Sequence, residues 1–224
     1  MIARAKTKGL VEINIVDLRE FTDDKRRTVD DTPYGGGPGM LMKPEPLFRA
    51  VETFKTTESL VVLTTPRGEV FTQETAQRLV AERHLIIICG HYEGVDERVR
   101  EALVDLELSI GDFILTNGNI PAMVITDAIT RLIPGVLGGE ESAEKESFAD
   151  GLLEHPQYTR PAEFRDMRVP DVLLSGDHKQ IEKWRREMSL SDTNRRRPDL
   201  MEKMKLDRRR GQESGDKLGS GVKP

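Results

Sequence analysis

Residues 27–40 form the segment that most restricts how this chain can fold. Four glycines, two prolines, two aspartates and one arginine stand within these 14 positions. Glycine lets the backbone take positive φ angles and approach a ligand closely, whereas proline stiffens the chain beside it. We therefore expect a shaped loop that is largely ordered before any ligand binds and that is flanked by charged side chains.

The cysteine content and the lack of long apolar runs narrow the class of protein. The chain has 224 residues, a net charge of −5 and a single cysteine, Cys89, so no intrachain disulfide can form. This suits a reducing compartment. No apolar run approaches the ~20 residues that a membrane-spanning helix needs, and the N-terminus lacks the apolar core of a signal peptide. We expect a cytoplasmic protein that is not bound to a membrane.

Positive charge is concentrated towards the C-terminus. Residues 178–211 contain 12 lysines and arginines against 6 aspartates and glutamates, although the whole chain is acidic. A basic segment on an acidic body predicts a polyanionic partner for that segment.

Strands and helices alternate in the pattern up to about residue 137, which predicts an α/β fold with a parallel sheet. The apolar run 85–89 is typical of a strand in the interior of such a sheet. Cys89, which ends the run, is interpreted as a buried strand thiol rather than a nucleophile. The other predicted strands cover residues 10–16, 59–64 and 112–116, and the predicted helices cover residues 44–54, 72–82, 96–103 and 120–133.

The composition changes after residue 137. Residues 138–150 are polar and acidic, which is typical of a linker, and helical patterns dominate residues 151–207. Residues 208–224 are rich in glycine and charge and almost free of apolar side chains, which predicts disorder. We therefore expect a sheet domain over residues 1–137, an interdomain linker, a small helical C-terminal domain and a disordered tail.

Two further loops follow predicted strands or lie between them, besides the glycine-rich loop (residues 34–40). The second loop covers residues 89–98 and starts where the strand 85–89 ends. The third loop covers residues 109–122 and includes the predicted strand 112–116, which ends next to Leu115. Ligands of open α/β sheets bind at the carboxyl ends of the strands, where these loops are expected to lie. Neither loop matches the phosphate-binding P-loop or the dinucleotide fingerprint, which argues against a nucleoside triphosphate or a nicotinamide cofactor.

Several motifs occur in one order along the chain: YGGGPGM at 34–40, GHYEGVDER at 90–98, SIGDFIL at 109–115 followed by PAM, RLIPGVLG at 131–138 and YTRP at 158–161. This ordered set resembles the bacterial tRNA (guanine-N1)-methyltransferases of the TrmD type, which belong to the SPOUT superfamily. The resemblance implies a parallel sheet with a deep trefoil knot and an obligate homodimer. It also implies transfer of a methyl group from S-adenosylmethionine to N1 of the guanosine immediately 3′ of the anticodon of a tRNA.

The resemblance places S-adenosylmethionine among three segments at strand ends. Backbone groups of such loops can hydrogen-bond the adenine, and the apolar side chains of Ile110 and Leu115 can sandwich its ring. The carboxylate of Glu93 would favour the positively charged sulfonium. The cofactor-binding residues implied by the resemblance are Leu63, Thr64, Thr65, Pro66, Gly90, Tyr92, Glu93, Gly94, Ser109, Ile110, Gly111, Phe113, Leu115, Gly118 and Pro121.

Two residues are implied to be catalytic. N1 of guanine holds a proton at neutral pH, so a carboxylate within hydrogen-bond reach is needed to take it as the methyl group is transferred. The resemblance assigns this role to Glu146 in the linker, where the family has aspartate, and it assigns to Arg131 the stabilisation of charge on guanine O6. The family's activity depends on magnesium, which suits free carboxylates, but the sequence identifies no set of ligands.

Candidate tRNA contacts lie in two regions. The glycine-rich loop is expected to receive the target guanine after it has left its stack, and arginines of the helical domain suit phosphate groups. The candidate tRNA-binding residues are Asp30, Tyr34, Gly35, Gly36, Gly37, Tyr158, Arg160, Arg195, Arg196 and Arg197.

The chain also departs from the family pattern. It has Asn117-Gly118-Asn119 where Gly-Gly-Glu is usual, and the family's first strand would precede Met1, for which we expect a mis-assigned start. Together with Glu146, these departures leave open a catalytically weak tRNA-binding homologue. A SPOUT enzyme that methylates a ribose 2′-hydroxyl is a further alternative, although the linker carboxylate and the helical domain favour a base nitrogen.

Overall fold

The computed structural model describes residues 1–137, 146–148 and 150–207. The chain divides into two compact units, Met1–Glu140 and Glu141–Pro224. The first unit is a mixed α/β structure around a parallel sheet, and the described part of the second unit contains helices and a short hairpin. The predicted disordered tail and most of the predicted linker lie outside the described residues.

The first unit begins with helix α1 (Ile2–Thr7) and a 3-10 helix (Leu18–Phe21). Its later elements are β1 (Asp30–Asp31), β2 (Leu41–Met42), α2 (Pro44–Phe54), β3 (Ser59–Val70), α3 (Gln73–Val80), β4 (His84–Cys89), α4 (Glu97–Leu103), β5 (Leu106–Ser109) and α5 (Asn119–Thr130).

The sheet of the first unit has β3 in the middle, with β4 and β5 parallel to it on either side. Thr64 of β3 pairs with Cys89 of β4 and with Leu108 of β5. The register to β5 then shifts, because Glu69 also pairs with Leu108, so residues 65–68 interrupt the ladder. β4 and β5 therefore end at one edge of the sheet, on either side of Thr64, while β3 continues to Val70.

The side chains of β3 alternate between two apolar clusters, which cover both faces of the sheet. Val61 and Leu63 face one cluster, and Val62 faces the other. Each fully buried side chain of this size stabilises the fold by about 1.5–3 kcal/mol. The first cluster is completed by Met42, Leu47, Val51, Ile88, Val99 and Leu103, and the second by Leu79, Leu108, Ile125 and Ile129.

Local signals account for where the helices begin. Pro44 opens α2, as expected for a residue whose missing N–H is not needed in the first turn. The hydroxyl of Thr72 accepts a hydrogen bond from the Thr75 N–H at 3.3 Å and caps α3. The carboxylate of Asp96 accepts one from the Arg98 N–H at 3.0 Å and caps α4. These three predicted helices are confirmed, with ends that differ by at most two residues.

Two predicted strands are wrong. Residues 112–116 form no strand, and β5 precedes them; Ile114 is 80% exposed, so this apolar run does not enter the sheet. Residues 10–16 alternate as a strand would, but Ile15 is 97% exposed and no described segment pairs with them. The strand at residues 85–89 is confirmed, although β4 lies at an edge of the described sheet and not in its interior.

The second unit contains a hairpin of β6 (Glu163–Phe164) and β7 (Met167–Arg168), then α6 (Asp171–Leu174), α7 (His178–Arg196) and a helical stretch over residues 198–207. The sequence did not predict the hairpin. The buried hydroxyl of Thr193 in α7 accepts a hydrogen bond from the Leu153 N–H at 2.9 Å and donates one to the Ser189 carbonyl at 2.6 Å. Throughout the described ranges, no helix is both long enough and apolar enough to cross a membrane.

Candidate functional site

The second and third loops leave the sheet next to each other. The second loop starts at Cys89, the last residue of β4, and the third loop starts at Ser109, the last residue of β5. Both strands are parallel to β3, so both loops emerge at the carboxyl edge, beside Thr64. This is the edge at which open α/β sheets bind their ligands.

Backbone contacts join the two loops directly. The Gly118 N–H donates a hydrogen bond to the Gly90 carbonyl at 2.7 Å, and His91 pairs with Asn117 as an antiparallel bridge. A Cβ atom on Gly118 would lie 2.9 Å from both the Cα of Cys89 and the N of Gly90. The third loop can therefore approach β4 this closely only because position 118 is glycine.

Burial of the β3 residues next to these loops decreases along the strand, from Leu63 and Thr64, which are buried, to Pro66. The Leu63 side chain belongs to the apolar core, so only its backbone is available at the edge. The Thr64 hydroxyl donates to the carbonyls of Ile88 at 3.1 Å and Gly118 at 3.3 Å. Thr65 is half-buried and Pro66 is exposed, where the chain interrupts its ladder with β5.

The glycine-rich loop is anchored to the second loop at its C-terminal end. The Glu93 N–H donates to the Met40 carbonyl at 3.0 Å, and the Met42 N–H donates to the Gly94 carbonyl at 3.0 Å. At the other end, Tyr34 is fully exposed and the three glycines that follow it have φ angles between +78° and +131°. The tip of this loop therefore reaches into solvent while its base is held beside the second loop.

The third loop has its own internal bonds. The Ser109 hydroxyl accepts a hydrogen bond from the Gly111 N–H at 3.2 Å, and the exposed ring of Phe113 lies against Gly111. The Asn117 side-chain oxygen accepts one from the Asn119 N–H at 3.0 Å, which orders the start of α5. The half-buried residues Ile110, Leu115 and Pro121 complete this region.

The structure thus brings most of the expected cofactor residues to one edge of the sheet. On the second loop, Tyr92 and Glu93 are exposed, and Tyr92 has a φ of +56°. Gly90 and Gly94 of the same loop lie between β4 and the glycine-rich loop. Burial raises the pKa of the Cys89 thiol, as expected for a strand thiol that is not a nucleophile. Backbone amides and small residues at such an edge suit a flat heterocycle with hydrogen-bonding edges.

The two catalytic candidates lie in different units. Arg131 directly follows α5 in the first unit and is half-buried. Glu146 lies in the second unit, close in sequence to the boundary between the units, and is also half-buried. Neither unit brings the two residues together by itself.

The three consecutive arginines near the end of α7 are paired with neighbouring carboxylates. Arg195 lies 2.7 Å from Asp192, with Arg196 3.8 Å from the same carboxylate. Arg197 lies 2.7 Å from Asp199. A hydrogen bond from Arg195 lowers the pKa of Asp192, so that carboxylate stays charged. Exposed pairs of this kind contribute little to stability, so phosphate groups can replace the carboxylates at small cost.

The other candidate RNA contacts lie apart from one another. Asp30 lies in β1 and pairs with Met42 of β2 in the first unit. Tyr158 and Arg160 are exposed in the second unit, where the Tyr158 ring lies 6.4 Å from that of Trp184. Within the described ranges, no three histidine, cysteine, aspartate or glutamate side chains are grouped to hold a metal ion. The magnesium requirement therefore stays a prediction.

Sequence reasoning missed an apolar surface on the first unit. Ile120, Met123 and Val124 are exposed and follow the spacing of one helix face of α5, and Phe113 and Ile114 are exposed on the third loop. The sequence carries one signal of this surface, the apolar run at residues 113–115, but the same run also predicts a strand. Exposed apolar patches of this kind mark interaction surfaces.

Known proteins match most of the chain. The family model described as tRNA (Guanine-1)-methyltransferase TrmD matches residues 1–203. The tRNA (guanine-N(1)-)-methyltransferase of Dictyoglomus turgidum is 56% identical over 206 residues, which cover 92% of this chain and 84% of the relative. The protein of the same name from Moorella thermoacetica is 57% identical over 210 residues, with coverage of 92% and 84%. That from Anoxybacillus flavithermus is 56% identical over 209 residues, with coverage of 92% and 85%.

Proposed function

Because this chain belongs to the tRNA (guanine-1)-methyltransferase family, we propose that it transfers a methyl group from S-adenosylmethionine to N1 of the guanosine immediately 3′ of the anticodon. The observation that carries this proposal is the joining of the second and third loops through Gly90 and Gly118 at the carboxyl edge of the sheet. A tRNA substrate also favours a cytoplasmic location.

The residues at this edge suit S-adenosylmethionine. Gly90 and Gly111 have no side chain to keep the cofactor from the backbone, and Ile110 and Leu115 offer apolar surface to the adenine ring. The Glu93 carboxylate provides negative charge for the sulfonium. Since the Leu63 side chain is buried in the core, the contribution of that residue would come from its backbone.

The chemistry needs one proton acceptor and one cation. S-adenosylmethionine supplies an electrophilic methyl group, so the N1–CH₃ bond forms as the S–CH₃ bond breaks and S-adenosylhomocysteine leaves. The Glu146 carboxylate takes the N1 proton in the same step. The Arg131 guanidinium stabilises the negative charge that develops on O6.

We also infer a SPOUT-type sheet with a deep trefoil knot and a homodimer. The exposed apolar face of α5 supports the dimer, because a second copy would bury it. The linker of one subunit would then cover the cofactor edge of the other.

Replacing Met123 with glutamate is expected to weaken the dimer about tenfold or more, because a charge would enter the centre of an apolar interface. Met123 is 68% exposed on α5. Sedimentation velocity over a concentration series measures the change. Met167→Glu is the matched control, because Met167 is 64% exposed in the hairpin of the other unit. An unchanged dimer in the Met123 variant would remove the α5 face from the interface.

Replacing Arg195, Arg196 and Arg197 together with alanine is expected to raise the KM for tRNA about tenfold. If all three contact phosphates, the slope of log affinity against log salt falls by about 2–3. Filter binding at several salt concentrations measures the slope. The double variant Arg78→Ala, Arg83→Ala is the control, because it removes exposed arginines that are also paired, in the first unit. An unchanged salt slope in the triple variant would show that these arginines do not bind phosphate.

The proposed reaction is tested by methyl transfer from labelled S-adenosylmethionine to an unmodified tRNA transcript, followed by nucleoside analysis. The tRNA carries guanosine next to the anticodon. N1-methylguanosine is the expected product. A 2′-O-methylated nucleoside would instead support a ribose methyltransferase. Cofactor binding without any product would support the catalytically weak tRNA-binding homologue.

A further inference from the structure

The Thr64 hydroxyl occupies an unusual place for a residue expected to contact a ligand. Thr64 is only 5% exposed, and its hydroxyl has a single proton. That proton is shared between the carbonyls of Ile88 in β4, at 3.1 Å, and Gly118 at the start of α5, at 3.3 Å. The hydroxyl is therefore bound within the protein and directs no proton to the cofactor edge.

Gly118 is held from several sides. Its N–H donates to the Gly90 carbonyl at 2.7 Å, and its carbonyl accepts from the Ala122 N–H at 3.0 Å in the first turn of α5. The Thr64 hydroxyl reaches the same carbonyl across the end of the sheet. The contact of Thr64 with Gly118, which we call the Thr64–Gly118 link, thus joins β3 to the third loop at the point where that loop meets the second.

We propose that Thr64 is a positioning residue for the cofactor site. Its side chain sets the third loop against the end of β4, so that the backbone groups of both loops face the cofactor together. Thr64 itself does not touch the cofactor. This inference rests on the proposed function, because the site that the link shapes is the one proposed to bind S-adenosylmethionine.

Two substitutions at this position separate the hydroxyl from the shape of the side chain. Thr64→Val keeps the shape but removes the hydroxyl that donates to the Ile88 and Gly118 carbonyls, whereas Thr64→Ser keeps that donor. In the valine variant we expect the Kd for S-adenosylmethionine to rise about fivefold to tenfold. We also expect the amide hydrogens of residues 116–118 to exchange about tenfold faster. The serine variant is expected to stay within about twofold of the unaltered protein in both measurements.

Thr193→Val is the matched control for lost stability. Thr193 is fully buried in the second unit and also uses its hydroxyl in two hydrogen bonds. The Thr193→Val variant is expected to have a lower melting temperature. Its Kd for S-adenosylmethionine and the exchange of the amide hydrogens of residues 116–118 are expected to stay unchanged. Isothermal titration calorimetry with the full chain measures the Kd, and mass spectrometry measures the exchange.

The inference is overturned if Thr64→Val binds S-adenosylmethionine as tightly as the unaltered protein, or if Thr64→Ser is as weak as Thr64→Val. It is also overturned if Thr193→Val weakens binding equally. If the unaltered protein binds no S-adenosylmethionine, the proposed function fails instead. The exchange of residues 116–118 in the two Thr64 variants then decides by itself whether the Thr64–Gly118 link positions the third loop.

Discussion

Replacing Gly118 with alanine is expected to raise the Kd for S-adenosylmethionine about tenfold to hundredfold, since adding a methyl group to a packed site costs typically 1–3 kcal/mol. The new Cβ would lie 2.9 Å from the Cα of Cys89 and the N of Gly90, and closer still to the Thr64 hydroxyl. Two of these neighbours are backbone atoms, which cannot rotate away. The third loop would have to move off β4, breaking the 2.7 Å hydrogen bond from Gly118 to Gly90.

Isothermal titration calorimetry checks this result, with Gly176→Ala as the control. Gly176 has a φ of +74° and nothing within 4 Å of an added Cβ, so alanine there strains the backbone without a clash. We expect that variant to lose stability, by about 1–2 kcal/mol, and to keep the affinity for the cofactor. Wild-type affinity in Gly118→Ala would mean that the contact between the second and third loops is not part of the cofactor site.

The features that the sequence predicted well depend on neighbouring residues. Pro44 is the first residue of α2, and Thr72 caps the first turn of α3. The strands at residues 59–64 and 85–89 were likewise visible, because continuous apolar runs are buried by the helices on both sides. The placement of the second loop after β4 followed from the end of that strand alone.

The third loop could not be predicted in the same way. Its apolar residues Phe113 and Ile114 predict a strand, yet both side chains are exposed. An apolar run has the same pattern whether it enters a sheet or lies on a surface that binds a partner. The pairing of His91 with Asn117 and the shared proton of Thr64 depend on segments that are distant in sequence. No local pattern records such contacts.

The sequence also predicts only part of the charge arrangement near the C-terminus. The composition indicates a basic segment, but it does not indicate that Asp192 and Asp199 pair with the three consecutive arginines. The guanidinium of Arg197 also lies 5.9 Å from the ring of Phe148. Arg195 and Arg196 are therefore the two members of the run whose guanidinium groups are most available to phosphate.

Replacing Glu146 with glutamine is expected to lower kcat about 10²–10⁴-fold, the usual contribution of a general base. Glutamine has nearly the same shape but cannot accept the N1 proton of guanine. The Kd for S-adenosylmethionine is expected to change little, because the proton acceptor acts in the chemical step, after the cofactor has bound. Single-turnover methyl transfer with saturating tRNA and cofactor measures the chemical step separately from binding.

Glu146→Asp is the control that tests the role of the carboxylate itself. It keeps a proton acceptor and shortens the side chain by one methylene, so it is expected to retain far more activity than the glutamine variant. The loss that remains would measure how much the reach of the longer side chain contributes, since displacement of a catalytic group by about 1 Å can cost 10²-fold in rate.

If Glu146→Gln turned over at the unaltered rate, the proton would have to leave N1 by another route. If both variants were inactive while binding cofactor normally, position 146 would need glutamate in particular, and its contacts within the second unit would be part of the site.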